Sequence, residues 1–216
     1  MTLPETPVLA LEHVASPQTI GSQTLMGVCA SLKPAAGRRE RSAVRSLLSY
    51  SLAHVKTVYP DVSLLDLREQ RLPFFDGRMP QEINDASLRF VWSCIDRSGG
   101  LLLSVPAYWS GVSGVFKNFI DVLCGPVYAM RDEINTVFNN KPTGLLVVGA
   151  DESSAQLGLQ QAVQIMSCVG SRLVGDPVVI SNPQLLNNDM ERLSCELITL
   201  GAELARSVKL GSNDKP

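Results

Sequence analysis

The segment Ser31-Leu32-Lys33-Pro34-Ala35-Ala36-Gly37-Arg38-Arg39-Glu40-Arg41-Ser42 gathers hydroxyls, cations and flexible residues directly ahead of a helical pattern. A helix N-terminus offers unpaired N–H groups and a partial positive charge. Ser31 and Ser42 add hydroxyl donors, and Lys33 and Arg41 add full charge. That set has the chemistry to hold a terminal phosphate. It equally suits a solvated basic loop in which Ser42 is an ordinary helix cap. Neither GxxxxGK[ST] nor GxGxxG is present, so the segment is not a nucleotide loop of either familiar kind.

Two other segments carry candidate chemistry. Pro106-Ala107-Tyr108-Trp109-Ser110-Gly111 sets two adjacent aromatics beside Ser and Gly in a turn. Exposed aromatics there suit a flat ring system approached closely by backbone, or a hydrophobic loop packed on a partner subunit. Gly149-Ala150-Asp151-Glu152-Ser153-Ser154 is small and polar. It can lay backbone amides against a ring edge or cap the next helix. The two histidines, His13 and His54, have no Cys or carboxylate at ligand spacing, which argues against a His-based triad or metal site. Five cysteines (Cys29, Cys94, Cys124, Cys168 and Cys195) include no CxxC and are odd in number. They read as small, mostly buried hydrophobes in a reducing compartment rather than a disulfide framework or zinc site.

The elements that position these segments follow from hydrophobic spacing. Leu25–Ala30 is a compact apolar run and a first strand. Val44, Leu47, Leu48, Leu52 and Val55 step by three and four, which makes Ser42–Val58 a helix ended by Pro60. Val62–Leu67 is a second strand, followed by a Pro- and Gly-containing loop over Leu72–Asn84. Asn84 or Asp85 caps a helix running to about Arg97. Gly99 and Gly100 open a third strand, Leu101–Val105. A helix spans about Gly114 to Leu123. Thr143–Ala150 is a fourth strand and Ser153–Val169 a fourth helix, with Gly170 suited to its C-terminal cap. Val178–Ile180 is a short fifth strand. The last helix, about Asn188 to Val208, carries Leu193, Leu197, Leu200, Leu204 and Val208 on one stripe.

This alternation predicts a single α/β domain over residues 24–209, preceded by an arm, 1–23, and followed by a polar tail, 210–216. Its strands are apolar on both faces, as in a parallel sheet covered by helices. In such a sheet, ligands bind outside the carboxyl ends of the strands where strand order reverses. All three candidate segments follow strands there. With 19 Lys+Arg against 21 Asp+Glu, the net charge is -2, so no broad basic field calls for nucleic acid. No apolar stretch approaches the ~20 residues of a membrane span, and Met1–Ala15 lacks a signal-peptide pattern. A soluble, cytoplasmic protein is expected.

Against this background, Pro106 to Asp121 resembles the P-E-Y-N-x-S-x-P-G-x-L-K-N-x-I-D signature of the NADPH-dependent FMN reductases, a flavodoxin-like family. Pro106, Tyr108, Gly114, Lys117, Asn118, Ile120 and Asp121 match it, with Ser110 one position before the signature's Ser. Ser31-Leu32-Lys33 resembles that family's G-S-L-R phosphate loop. Asp66-Leu67-Arg68 with Leu72-Pro73-Phe74-Phe75-Asp76 is similar to its D-L-R…L-P-x-F-D loop. The resemblance spans roughly Leu25 to Asn182. Ala107, Trp109 and Ser113 stand where the family has Glu, Asn and Pro, and Ala30 and Lys33 where it has Gly and Arg. These departures suggest a specialised substrate.

The resemblance implies a doubly wound, five-stranded parallel sheet of order 2-1-3-4-5 with helices on both faces. It also implies FMN as cofactor and NAD(P)H as co-substrate, with redox chemistry on the flavin and no catalytic side chain. Ser31, Lys33, Arg41 and Ser42 would hold the phosphate. Pro106, Ala107, Tyr108, Trp109 and Ser110 would contact the ribityl chain and ring, and Gly149, Ala150 and Asp151 the ring edge. Lys117, Asn118 and Asp121 would support the helix and loop or a dimer contact. The implied activity is hydride transfer from NAD(P)H through FMN to a small-molecule acceptor such as free flavin or a quinone. The implied assembly is a homodimer or homotetramer, for which the Phe74-Phe75 loop and the helix with Phe116 and Phe119 offer apolar material. The alternative is a non-catalytic flavodoxin-like electron-transfer or interaction module with weak or lost FMN binding.

Overall fold

The computed structural model describes residues 16–33, 42–129, 136–183 and 190–213. Strands β1 (Leu25–Cys29), β2 (Val62–Asp66), β3 (Gly100–Tyr108), β5 (Pro142–Gly149) and β7 (Val178–Ser181) run parallel in the order β2-β1-β3-β5-β7. This is the flavodoxin-like order 2-1-3-4-5 once the two smallest strands are set aside. One of them, β4 (Gly111–Val112), turns back antiparallel on the end of β3. The other, β6 (Arg172–Leu173), pairs with the start of β5, opposite β3. It occupies the same edge position as β7, and the chain detours between them through Gly175 at φ 71°.

Helices cover both faces. Helices α1 (Ala43–Val58) and α5 (Met190–Asn213) lie on one side, and α2 (Ala86–Arg97), α3 (Gly114–Cys124) and α4 (Glu152–Cys168) on the other. The strand period of two divides β3 between them. Leu101, Leu103 and Val105 join the core under α2, α3 and α4, while Leu102 joins the core under α1 and α5. Every residue of β3 before Tyr108 is therefore buried, which explains its continuous apolar run. The stripe of Leu193, Leu197, Leu200, Leu204 and Val208 seats α5 on the sheet.

Helix ends follow side-chain chemistry. Ser42, Asp85, Ser113 and Asp151 cap α1 to α4, each accepting a backbone N–H from the first turn. After α4, the Gly170 amide donates to the Ser167 carbonyl and that of Ser171 to Met166, with Gly170 at φ 81°. That is a Schellman stop, and it needs a residue at ease in the left-handed region.

Three sequence expectations are corrected. The third strand continues to Tyr108 because β4 supplies partners for Ala107 and Tyr108. The last helix runs on to Asn213, past the point where a polar tail was expected at Leu210. Phe116 and Phe119 are 1% and 0% exposed, so they fill the core and are not interface material. Within the arm, whose role the sequence leaves open, Ile20 is 1% exposed in the core beside α2, and Arg97 Nε donates to its carbonyl over 3.1 Å.

Ser113, where the family pattern has Pro, joins two parts of the fold. Its hydroxyl donates to the Ala30 carbonyl over 3.2 Å and accepts the Phe116 amide at 3.2 Å. Ser113→Ala removes the α3 cap and strands a carbonyl at the end of β1. The expected loss is about 1–3 kcal/mol, read as a lower urea midpoint at unchanged m-value. A loss below about 0.5 kcal/mol, under the usual range for a lost cap, would show that the bond contributes nothing beyond what water replaces.

Candidate functional site

The three candidate segments leave the carboxyl ends of β1, β3 and β5, side by side. At the first, the loop between β1 and α1 is closed at its mouth. The Ser42 hydroxyl donates to Ser31 Oγ over 3.0 Å, although eleven residues separate them. Ser31 Oγ also accepts the Lys33 amide at 3.3 Å, and Ser42 Oγ accepts that of Arg45 at 3.3 Å. Both serines are buried at the floor of the loop. Ser42 is thus a helix cap, and it is also a hydroxyl directed at Ser31. The first-turn amides of Ala43 and Val44 have no acceptor within the helix. Arg41 lies outside the described residues.

Sequence spacing did not single out what holds this loop. Arg45, on the first turn of α1, grips Asp66 at the end of β2 through Nε and through Nη2, the latter at 2.7 Å. The same guanidinium donates to the Lys33 carbonyl at 2.9 Å and the Ser31 carbonyl at 3.4 Å. Burial works against its charge, but the Asp66 carboxylate outweighs that and holds its pKa above the ordinary value. Ser104 on β3 adds another tie, donating to the Val44 carbonyl at 3.0 Å. In the sequence, Arg45 is one polar residue on an amphipathic helix, and nothing there points to Asp66.

At the second segment, β3 and β4 form a two-residue hairpin, Tyr108 pairing with Gly111. Its central residues Trp109 and Ser110 both have positive φ, 52° and 61°, as a type I′ turn requires. Neither is a glycine. Gln161 on α4 steadies the turn, its Oε1 accepting the Val112 amide at 3.2 Å. Trp109 is 99% exposed, and Tyr108 is partly exposed. The Lys33 ammonium sits 5.6 Å from the centre of the Tyr108 ring, a cation–π contact that joins the first two segments. Burial pushes the Tyr108 phenol up, and a hydrogen bond with Ser31 opposes this. Pro106 and Ala107 are buried. Ala107 faces α4, where a Cβ on Gly158 would come within 2.5 Å of it. A Glu side chain has no room there, so the departure from the family pattern has a packing cause. Any contact Ala107 makes with a ligand is through its backbone.

At the third segment, Asp151 directs its carboxylate to α4. Oδ1 accepts the Ser154 amide at 2.8 Å and Oδ2 the Ser154 hydroxyl at 3.0 Å, which together lower its pKa. Gly149 lies so close to α4 that a Cβ would stand 2.6 Å from the Ala155 amide nitrogen. Ala150 is exposed between them.

The surroundings bear on what this edge can do. Asn118 on α3 accepts the Phe75 amide at 3.0 Å and donates to the Pro73 carbonyl at 2.9 Å, so it supports the loop after β2. Lys117 and Asp121 pair with each other one turn apart on α3. A cavity of about 770 Å³ opens at the far edge of the sheet, between α4, β7 and α5. Glu152, Asp176, Glu196 and Glu203 line it against one cation, Arg192, so it is a poor place for an anion. Among the described residues, no group of three or more His, Cys, Asp or Glu is placed to hold a metal ion. Burial pushes the thiols of Cys29 and Cys124 up to about 12 and that of Cys94 up to about 11, so all three are protonated at neutral pH. Cys168 and Cys195 are exposed. No helix among the described residues is long and apolar enough to cross a membrane.

The left-handed backbone at Trp109 has a measurable consequence. A non-glycine residue there costs about 1–2 kcal/mol, and Asn tolerates it best after Gly. The exposed indole has almost no packing within this chain to lose. Trp109→Asn is therefore expected to raise Tm by about 2–4 °C, the equivalent of about 1 kcal/mol in a domain of this size. A lower Tm in thermal denaturation would show that the indole stabilises the turn.

Comparison with known proteins agrees with this geometry. The model of the NADPH-dependent FMN reductase family matches residues 26–184. No curated protein matches the chain. Among solved structures, the flavoenzyme NAD(P)H:(acceptor) oxidoreductase FerB from Paracoccus denitrificans superposes with a TM-score of 0.63 at 15% identity, over 87% of this chain and 97% of that one. An oxidoreductase from Corynebacterium diphtheriae gives 0.62 at 17% identity, over 87% and 97%. The two-electron reduced flavodoxin of Megasphaera elsdenii gives 0.51 at 17% identity, over 85% and 99%. Identities this low speak for the fold, a flavodoxin-like sheet. The family match covers most of that sheet and all three segments at its carboxyl edge, and by it the chain belongs to the NADPH-dependent FMN reductase family.

Proposed function

We propose that this chain is an FMN-dependent NAD(P)H oxidoreductase whose flavin sits on the carboxyl edge of β1, β3 and β5. One observation carries this: the paired Ser31 and Ser42 hydroxyls beneath the α1 N-terminus, with Lys33 alongside. Hydroxyl and amide donors backed by one cation suit a phosphate. When bound, FMN would supply the redox chemistry between NAD(P)H and a second small molecule such as free flavin or a quinone.

The chain's residues bind and orient. Ser31, Ser42, the α1 amides, Lys33 and Arg41 hold the phosphate. Lys33 leaves the Tyr108 ring to do so, which frees that ring for the ligand. The backbone of Pro106 to Ser110 would contact the ribityl chain, and Tyr108 and Trp109 would contact the ring. Gly149 to Asp151 approach the ring edge through backbone alone, since the Asp151 carboxylate is tied to α4. No thiol or imidazole is needed for turnover.

Phosphate anchoring makes the reading testable. Charge-assisted hydrogen bonds are worth roughly 1.5–3 kcal/mol each, so FMN is expected to bind at least about tenfold more tightly than riboflavin. The gap should shrink with added salt. Lys33→Ala should weaken FMN and leave riboflavin nearly unchanged, measured by titration of flavin fluorescence. Equal affinities in the parent would reject the phosphate site and favour a flavodoxin-like interaction module. NAD(P)H oxidation across a panel of acceptors then identifies the second substrate.

We also propose a homodimer or homotetramer. Phe74 is 87% exposed in the loop braced by Asn118, and Tyr128 is exposed as well. Large apolar side chains of this kind favour a covered surface. Light scattering at micromolar concentration should give a multiple of the 23.4 kDa chain mass. A clean monomer mass would exclude the assembly.

A further inference from the structure

Arg45 belongs to none of the segments assigned above, and the family resemblance carries no role for it. We infer that Arg45 is a positioning residue for FMN, setting the backbone of Ser31 to Lys33 without itself touching the phosphate. This rests on the FMN reading given above.

Four of the five guanidinium N–H groups are engaged by the chain. Nε and Nη2 form a fork on the Asp66 carboxylate, Nη1 donates to the Lys33 carbonyl, and Nη2 also reaches the Ser31 carbonyl. Its side chain is 12% exposed and that of Asp66 is 4% exposed. Arg45 therefore has at most one N–H to spare and, paired with Asp66, no net charge to offer a phosphate. What it does control is direction. Each peptide is planar, so a carbonyl held toward Arg45 turns the next amide the opposite way. The grip on Ser31 O aims the Leu32 N–H away from the guanidinium. The grip on Lys33 O holds the residue that carries the cation. Asp66 fixes the fork in turn, and its Oδ1 also accepts the Arg68 amide at 3.0 Å, tying the loop after β2 to the same point. Only a planar, multi-donor group serves a carboxylate and two carbonyls at once, so Lys is not equivalent to Arg here.

The test measures FMN and riboflavin affinities of the full chain together with Tm. Arg45→Lys keeps the charge and loses the fork. The double variant Arg45→Met with Asp66→Asn removes both charges and so leaves no buried ion unpaired. In both variants the preference for FMN over riboflavin is expected to fall by about tenfold, the equivalent of one well-made charge-assisted hydrogen bond. Riboflavin affinity should stay within about twofold of the parent, a change too small to register as a lost contact. The parent's own preference reads the functional proposal, and its change in the variants reads this one. If the parent discriminates and a folded variant discriminates equally well, Arg45 is merely structural and the inference is overturned. It is overturned equally if both affinities fall in parallel with Tm. A parent with no preference for FMN overturns both proposals.

Discussion

A parallel sheet buried on both faces confines polar chemistry to its edges. Here α1 and α5 cover one face and α2, α3 and α4 the other, and every residue of β3 before Tyr108 is inside. A charge placed within those layers would need a partner and a full set of hydrogen bonds. At the carboxyl ends, where strands stop and helices begin, backbone amides and cap residues are available. The three candidate segments share that edge because the fold leaves them little other place to be.

The same constraint explains why the loop after β1 is tied so heavily. The described ends of that loop, Ser31 to Lys33 and Ser42, border a stretch where side chains do much of the tying. The ties are Ser42 to Ser31, Ser104 to Val44, Ser113 to Ala30 and Arg45 to two loop carbonyls. Three of these ties come from small serines buried where an apolar side chain would have been easier to place. Each stabilises the fold modestly once water's competing bonds are counted. Their collective effect is to hold the Ser31 and Ser42 hydroxyls and the Lys33 backbone in one arrangement at this edge.

The hairpin after β3 shows the opposite arrangement. Trp109 and Ser110 both adopt backbone angles that L-residues disfavour, and Trp109 gains no burial in return. Strain of this kind persists where the surrounding structure over-determines it, and it gathers at ligand sites. The over-determination is visible: β3 to β4 pairing on one side and Gln161 from α4 on the other. The turn thus holds an indole in the open, at the edge where the fold places ligands.

Much of this was legible in the sequence. Strand runs, helix stripes and caps follow from local residue types, which act over a few positions, so four of the helix starts and the five parallel strand positions could be read directly. The hydroxyl-rich loop and the adjacent aromatics were legible too, because their residue types are unusual where they occur. Tertiary structure decided the rest. It turned Ala107 toward Gly158 and sent Phe116 and Phe119 into the core. It also brought Arg45 to Asp66 across twenty-one positions. Local pattern states what a side chain can do, but its partners depend on which strands lie side by side, and that order is set by burying both faces of the sheet at once.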